Sequence, residues 1–222
     1  MIDFLKERGY KELSLDSNFR FHCIKCGDCC RNREDIILSP RDLYRLATEL
    51  KSDTKSVVEA YGEQYIGNES RFPIVRLKPV GKGKDCPLLK SNKCSVHNSK
   101  PTVCAMFPLG RMIAENDLEK KITYIFADPK CGSKSETHTV REWLSNFGLA
   151  EDDPFFKRWQ TVIMKVSEYL RNIEKEKKKS LLNVAWTLTF VQLYLAYDMN
   201  KEFEPQFEAN IEELSGILGF KI

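Results

Sequence analysis

Four of the chain's eight cysteines fall within eight residues, Cys23-Ile-Lys-Cys26-Gly-Asp-Cys29-Cys30, and no other feature limits the possible fold as tightly. Thiolates two or three positions apart converge on one cation only if the backbone turns around it, and Gly27 allows the positive φ that such a turn often needs. The other four arrive singly from downstream, at Cys86, Cys94, Cys104 and Cys131. One compact run answered by an equal number of dispersed thiols is a metal-site layout, so all eight are candidate metal ligands.

The competing use of eight cysteines is in disulfides. The opening residues, Met1-Ile-Asp-Phe-Leu-Lys-Glu-Arg8, are mixed and polar, which predicts no signal peptide and a reducing, cytoplasmic setting. Free thiols serving as ligands are the expectation there. With 222 residues, 42% of them apolar, the chain can bury a core without covalent staples. Residues 20 to 134 hold 21 Lys and Arg against 14 Asp and Glu in a chain of net charge +3, so the cysteine-bearing part is the basic part. A positive setting lowers thiol pKa and favours ligation. The basic residues do not form a recognisable nucleic-acid module.

Soft thiolates suit tetrahedral zinc and an iron–sulfur cluster equally, and spacing does not choose between them. Neighbouring side chains tend to diverge, so Cys29 and Cys30 are expected to serve two irons or two separate centres. Cys23 and Cys26 would share a centre with one of the pair, the other would join some of Cys86, Cys94 and Cys104, and Cys131 would complete the set lacking a fourth; the competing arrangement is one centre built from four of the eight, with the rest as small buried hydrophobes. His97, three positions after Cys94, is a further possible ligand, although a packed or exposed imidazole is the expectation. No phosphate-binding glycine loop, His-Glu-x-x-His or nucleotide fingerprint accompanies the cluster. The partners expected are a protein partner or a protein substrate, and the oligomeric state is left open.

The predicted fold class is α+β: a small cysteine-rich metal-binding core with short strands and helices over 1–134, followed by a C-terminal helical cap over 135–222. A short amphipathic arm over 1 to 19 leads into Phe19-Arg-Phe21-His-Cys23, whose alternation reads as a strand. Residues 36 to 38 suggest a second strand. Ser39-Pro40-Arg-Asp42 is a helix start, with a hydroxyl cap, an early proline and an acid in the first turn. A helix is expected over 53 to 61, a strand over 74 to 77, a short helix opened by Pro101 that carries Cys104, and a hairpin over 111 to 114 and 122 to 126. Helical periodicity then covers 139 to 147, 153 to 178, 180 to 199 and 203 to 218. Residues 180 to 197 carry no charge but include Asn183, Thr187, Thr189 and Gln192, so they read as a buried core helix rather than a membrane span, with oligomer contact as an alternative.

Taken together, Phe21-x-Cys23-x-x-Cys26-Gly27-x-Cys29-Cys30, Cys86-Pro87-x-Leu89, Cys94-x-Val96 and Pro101-x-x-Cys104-x-x-Phe107-Pro108 resemble the CxxCxxCC, YkgJ-like family of zinc- or iron-chelating cysteine-cluster proteins. The resemblance spans about 19 to 132 and says little about 139 to 222. It implies a bound metal as zinc or iron–sulfur and, from the labels given to members, an iron–sulfur oxidoreductase. Flagellin lysine methylases carry a similar cluster, so protein methylation is a second implied activity. The chain departs from the family pattern at His97, where Tyr is usual, and at Lys100 and Ala105, where Arg is usual.

Overall fold

The structure is a computed structural model, and it describes residues 9–114 and 120–222. The expected arm over 1 to 19 lies outside the described residues as far as residue 8. Beyond it the chain forms a strand, β1 (Tyr10–Leu13). Phe19 and Phe21 then alternate with polar neighbours along β2 (Asn18–His22), turn inward and leave Cys23 at the strand's end.

After the cysteine run and β3 (Ile37–Leu38), Ser39 and Asp42 exchange side-chain-to-backbone hydrogen bonds in a capping box that starts α1 (Pro40–Glu49). Leu43, Leu46 and Ala47 form its buried stripe. Asp53 caps α2 (Thr54–Tyr61), which passes at Gly62 into β4 (Gly62–Ile66), and β4 pairs with β5 (Pro73–Leu77) in the three-stranded antiparallel order β3-β5-β4. A two-residue turn, Ser91 (φ 48°) and Asn92 (φ 62°), joins β6 (Leu89–Lys90) to β7 (Lys93–Cys94). Positive φ at both central residues is the twist a tight hairpin requires.

Pro101 precedes α3 (Thr102–Met106), and a hairpin of β8 (Leu109–Ile113) and β9 (Ile122–Ala127) follows. Its second strand also pairs with β1, and Ile122, Tyr124 and Phe126 face inward. A strand the periodicity did not announce, β10 (Ser133–Thr139), pairs with β2, and Thr139 caps α4 (Val140–Asn146) in a second capping box. Then come α5 (Pro154–Lys175), α6 (Lys179–Phe190) and α7 (Phe203–Leu218). The helix expected over 180 to 199 ends sooner, because a π turn over Val191–Leu195 widens it. No described helix is long and apolar enough to cross a membrane. The mixture of seven helices and small antiparallel sheets among the described residues is α+β, as expected.

Apolar side chains gather in two cores. One joins Ile36, Leu38, the α1 stripe and Val75 to the buried faces of α5, α6 and α7. The other joins Phe19 and Phe21 to Met106, Leu109, the inward residues of β9, and Trp143 and Leu144 of α4. The cysteine loops lie between them.

Candidate metal centre

Two positive-φ residues reverse the backbone in the cysteine run, Lys25 (φ 56°) and Gly27 (φ 77°), and a 3-10 turn over Asp28–Cys30 follows. Gly27 is also a close-approach position. A Cβ there would stand 3.0 Å from Nη1 of Arg31 and 3.1 Å from the backbone oxygen of Asn92, at the tip of the β6–β7 hairpin. Arg31 fastens the two pieces by donating to the Cys26 carbonyl at 3.2 Å and to Oδ1 of Asn92 at 2.5 Å.

The downstream thiols are delivered by backbone pairing. Asn32 and Arg33 donate to the carbonyls of Gly83 and Lys84 at 3.0 Å, and Cys86 donates to that of Cys30 at 2.8 Å, so residues 30–33 run beside 83–86. A turn closed by Leu89 N–H to the Cys86 carbonyl (3.0 Å), with the Leu89–Cys94 strand pair, sets Cys94 next to Cys86. Cys104 rides on α3, whose start is held from α1. Asp42, 4% exposed, accepts from the Thr102 backbone N–H at 2.8 Å and from its hydroxyl at 2.6 Å. Cys131 comes in beside Cys23 because Ser133 pairs with His22. Gly132 (φ 75°) permits this approach, since a Cβ there would lie 2.6 Å from the Phe21 ring and 2.7 Å from the His22 carbonyl oxygen.

All eight cysteines are free and line one open cavity of about 370 Å³. Its apolar wall comes from both cores: Phe21 and Trp143 from one, Leu77, Leu88 and Val96 from the other. Lys25, Arg33, Lys93 and Lys100 also line it, and Lys100 sits 4.4 Å over the Phe147 ring. His97 lines the cavity as an exposed residue on a 3-10 turn, with its pKa lowered by partial burial and by Lys100 and Lys25.

The side chains of Cys29 and Cys30 do not diverge as expected: their sulfurs are 3.9 Å apart. That contact pulls Cys29 down to about 6, against its burial and with help from Arg33 and Lys100, while Cys30, the partner that keeps the proton, is pushed up. Burial raises Cys86 and Cys104, and lifts Cys131 to about 11. Neighbouring sulfurs add to each of these shifts. Cys30 feels Cys86 and Cys104, Cys104 feels Cys86 and Cys94, and Cys131 feels Cys29, Cys26 and Cys23.

This donor set fits zinc or iron. Crowded thiols that discourage one another from ionising are relieved by a cation, which deprotonates the sulfurs it binds. The 3.9 Å contact is close to the roughly 3.8 Å between two thiolates on one tetrahedral zinc with Zn–S bonds of about 2.3 Å. Among the described residues no three His, Cys, Asp or Glu side chains converge as they would around an ion, so the sulfurs line the walls and must be drawn together on binding. Sequence reasoning did not find the supporting residues Asp42, Gly132 and Trp143. Asp42 showed only as a helix cap, and the other two gave no signal short of the strand pairing itself.

Residues 22–132 match the CxxCxxCC family, described as "putative zinc- or iron-chelating domain". An uncharacterized protein of Methanocaldococcus jannaschii is 32% identical over 49% of this chain and 57% of its own length. The chain therefore spans little more than half of that relative. No solved structure matches the chain.

Proposed function

Since the chain belongs to the CxxCxxCC family of zinc- or iron-chelating domains, we propose that its thiol-lined cavity is the functional centre and that the metal held there is chemically active. The observation that carries this reading is the cavity itself. The thiols face an open space of about 370 Å³ that they share with Phe21, Phe107, Trp143 and Phe147, whereas a purely structural knuckle closes around its ion. Bound iron–sulfur would supply one-electron chemistry. The chain's own residues would hold it through cysteine sulfur, offset thiolate charge with Arg33 and Lys100, and shield one side from water with the aromatic wall. The substrate would be a small molecule or a protein side chain that reaches the open mouth.

The second reading is a zinc scaffold for a protein partner. It is favoured by the way the cysteine loops 23–33, 83–104 and 131–132 join segments distant in sequence. Anaerobic purification with elemental analysis separates the two. A brown protein with visible charge-transfer absorbance that bleaches on reduction supports redox chemistry. A colourless protein with stoichiometric zinc overturns it in favour of the scaffold.

A further inference from the structure

We infer that the cavity takes a small aromatic carboxylate, with its ring against the aromatic wall and its anionic end at Lys100. This rests on the reading of the cavity as the functional centre and deepens it by naming the class of ligand.

The ring follows from what the wall is made of. Centroids of Phe107 and Phe21 lie 5.8 Å apart, those of Phe21 and Trp143 5.7 Å, and those of Trp143 and Phe147 5.4 Å, each pair edge to face, so the four rings form one continuous surface. Trp143 spends its indole N–H on the Met106 carbonyl at 3.0 Å, which leaves that surface without a free polar group. At the mouth, Ile24 and Val103 line the cavity while 55% and 40% exposed. Apolar side chains so placed gain from a ligand that takes them out of water, and an aromatic ligand adds edge-to-face or offset ring contacts to the area it covers. A volume of about 370 Å³ is at the lower end for small-molecule sites, so the ligand is small.

The anionic end follows from the charges. Lys25, Arg33, Lys93 and Lys100 line the cavity, and no aspartate or glutamate is among its described lining residues. Nearby carboxylates are committed elsewhere: Asp28 to Arg31 at 3.5 Å, Asp35 to Arg33 at 2.6 Å, and Asp42 to Thr102 at 2.6 Å. Arg33 is thereby already paired. Lys25 and Lys93 are exposed, whereas Lys100 is half-buried with its ammonium 4.4 Å over the Phe147 ring, at the end of the aromatic surface. An ammonium resting on a ring face keeps N–H donors for a carboxylate, and the charge-assisted hydrogen bond is among the stronger kinds. A ring and a carboxylate in one molecule use both features at once.

The test is calorimetric titration of the full-length protein, purified anaerobically with its native metal, with three probes on one ring system: 1-naphthoate, 1-naphthamide and 1-naphthylmethylamine. At low ionic strength naphthoate should bind about tenfold more tightly than the amide, the worth of one hydrogen bond to a charged group, and the amine should bind most weakly. Added salt should narrow the gap. Lys100→Met should remove the advantage of naphthoate and leave the amide unchanged, while Lys165→Met, outside the cavity, should alter neither. If Lys100→Met fails to fold, the order of the three probes on the native chain decides. Equal binding of all three, or none, overturns the inference and shows Lys100 fully occupied with thiolate charge. Octanoate binding as tightly as naphthoate overturns the aromatic part. Metal content and colour are read on the same samples: a colourless zinc protein with the expected order keeps this inference and sinks the redox reading, and a brown, reducible protein without that order does the reverse.

Discussion

Glycine at 132 stands where the chain tolerates no side chain. A methyl group there would meet the Phe21 ring at 2.6 Å and the His22 carbonyl oxygen at 2.7 Å, on a backbone already at φ 75°. Gly132→Ala should therefore cost about 2 kcal/mol or more, seen as a lowered thermal midpoint, and should move Cys131 away from Cys23. Gly9, at φ 74° with nothing near, lacks the contact half of that penalty, and Gly9→Ala is the control. His97 is the opposite case. It is exposed on its turn, so His97→Phe should retain the native metal content. A loss as large as that in a cysteine variant would place the imidazole on the metal.

Helix and strand are tied together by two buried carboxylates. The Asp42 carboxylate joins α1 to α3 by accepting two hydrogen bonds from Thr102, and caps α1 by accepting from the Ser39 backbone N–H and hydroxyl. Asp42→Ala should cost about 3 kcal/mol in denaturant unfolding, and in the folded fraction it should raise the alkylation rate of Cys104 above that of Cys23. Asp153 caps α5 through Phe155 N–H and accepts from Arg41 of α1 and Arg111 of β8. Burial would raise its carboxyl pKa, but the two guanidiniums outweigh burial and hold it below its ordinary value. Its contribution is therefore complete above the unfolded value of about 3.9 and is lost as pH falls through the lower folded value. Asp153→Asn keeps a capping oxygen but should flatten that acid limb in the urea midpoint measured against pH.

The same elements show what could be read in advance. Ser39-Pro40-Arg-Asp42 announced α1 because capping is local chemistry, and the alternation of Ile122, Tyr124 and Phe126 announced β9 because one face is buried. Ser-Lys-Ser-Glu-Thr-His-Thr over β10 carries no such pattern. It is a strand because β2 pairs with it, and the position of Cys131 depends on that long-range pairing. The β6–β7 turn was missed for a related reason: Ser91 and Asn92 adopt positive φ without a glycine to mark them. The eight candidate ligands could be listed from the sequence, but their neighbours could not.

At the scale of the molecule, the thiol-lined cavity lies in the seam between two cores and takes its wall from both. The loops that carry the cysteines have little regular structure, and the free energy of a structural thiolate centre is on the order of 10 kcal/mol. Chelation under reducing conditions should therefore lower hydrogen-exchange protection across 20 to 134 much more than in α5 and α7. Unchanged protection would show that the fold closes the seam without metal. Trp143 is part of that wall, whereas Trp159 packs among Phe72, Tyr194 and Phe207, and Trp186 donates to the Arg71 carbonyl outside the cavity. One indole of three thus lines the cavity that the thiols line, which gives the protein an intrinsic optical gauge. Iron entering the cavity should quench the share of fluorescence that Trp143→Phe removes and leave the light from the other two unchanged, so occupancy can be followed in an unlabelled chain by its own emission.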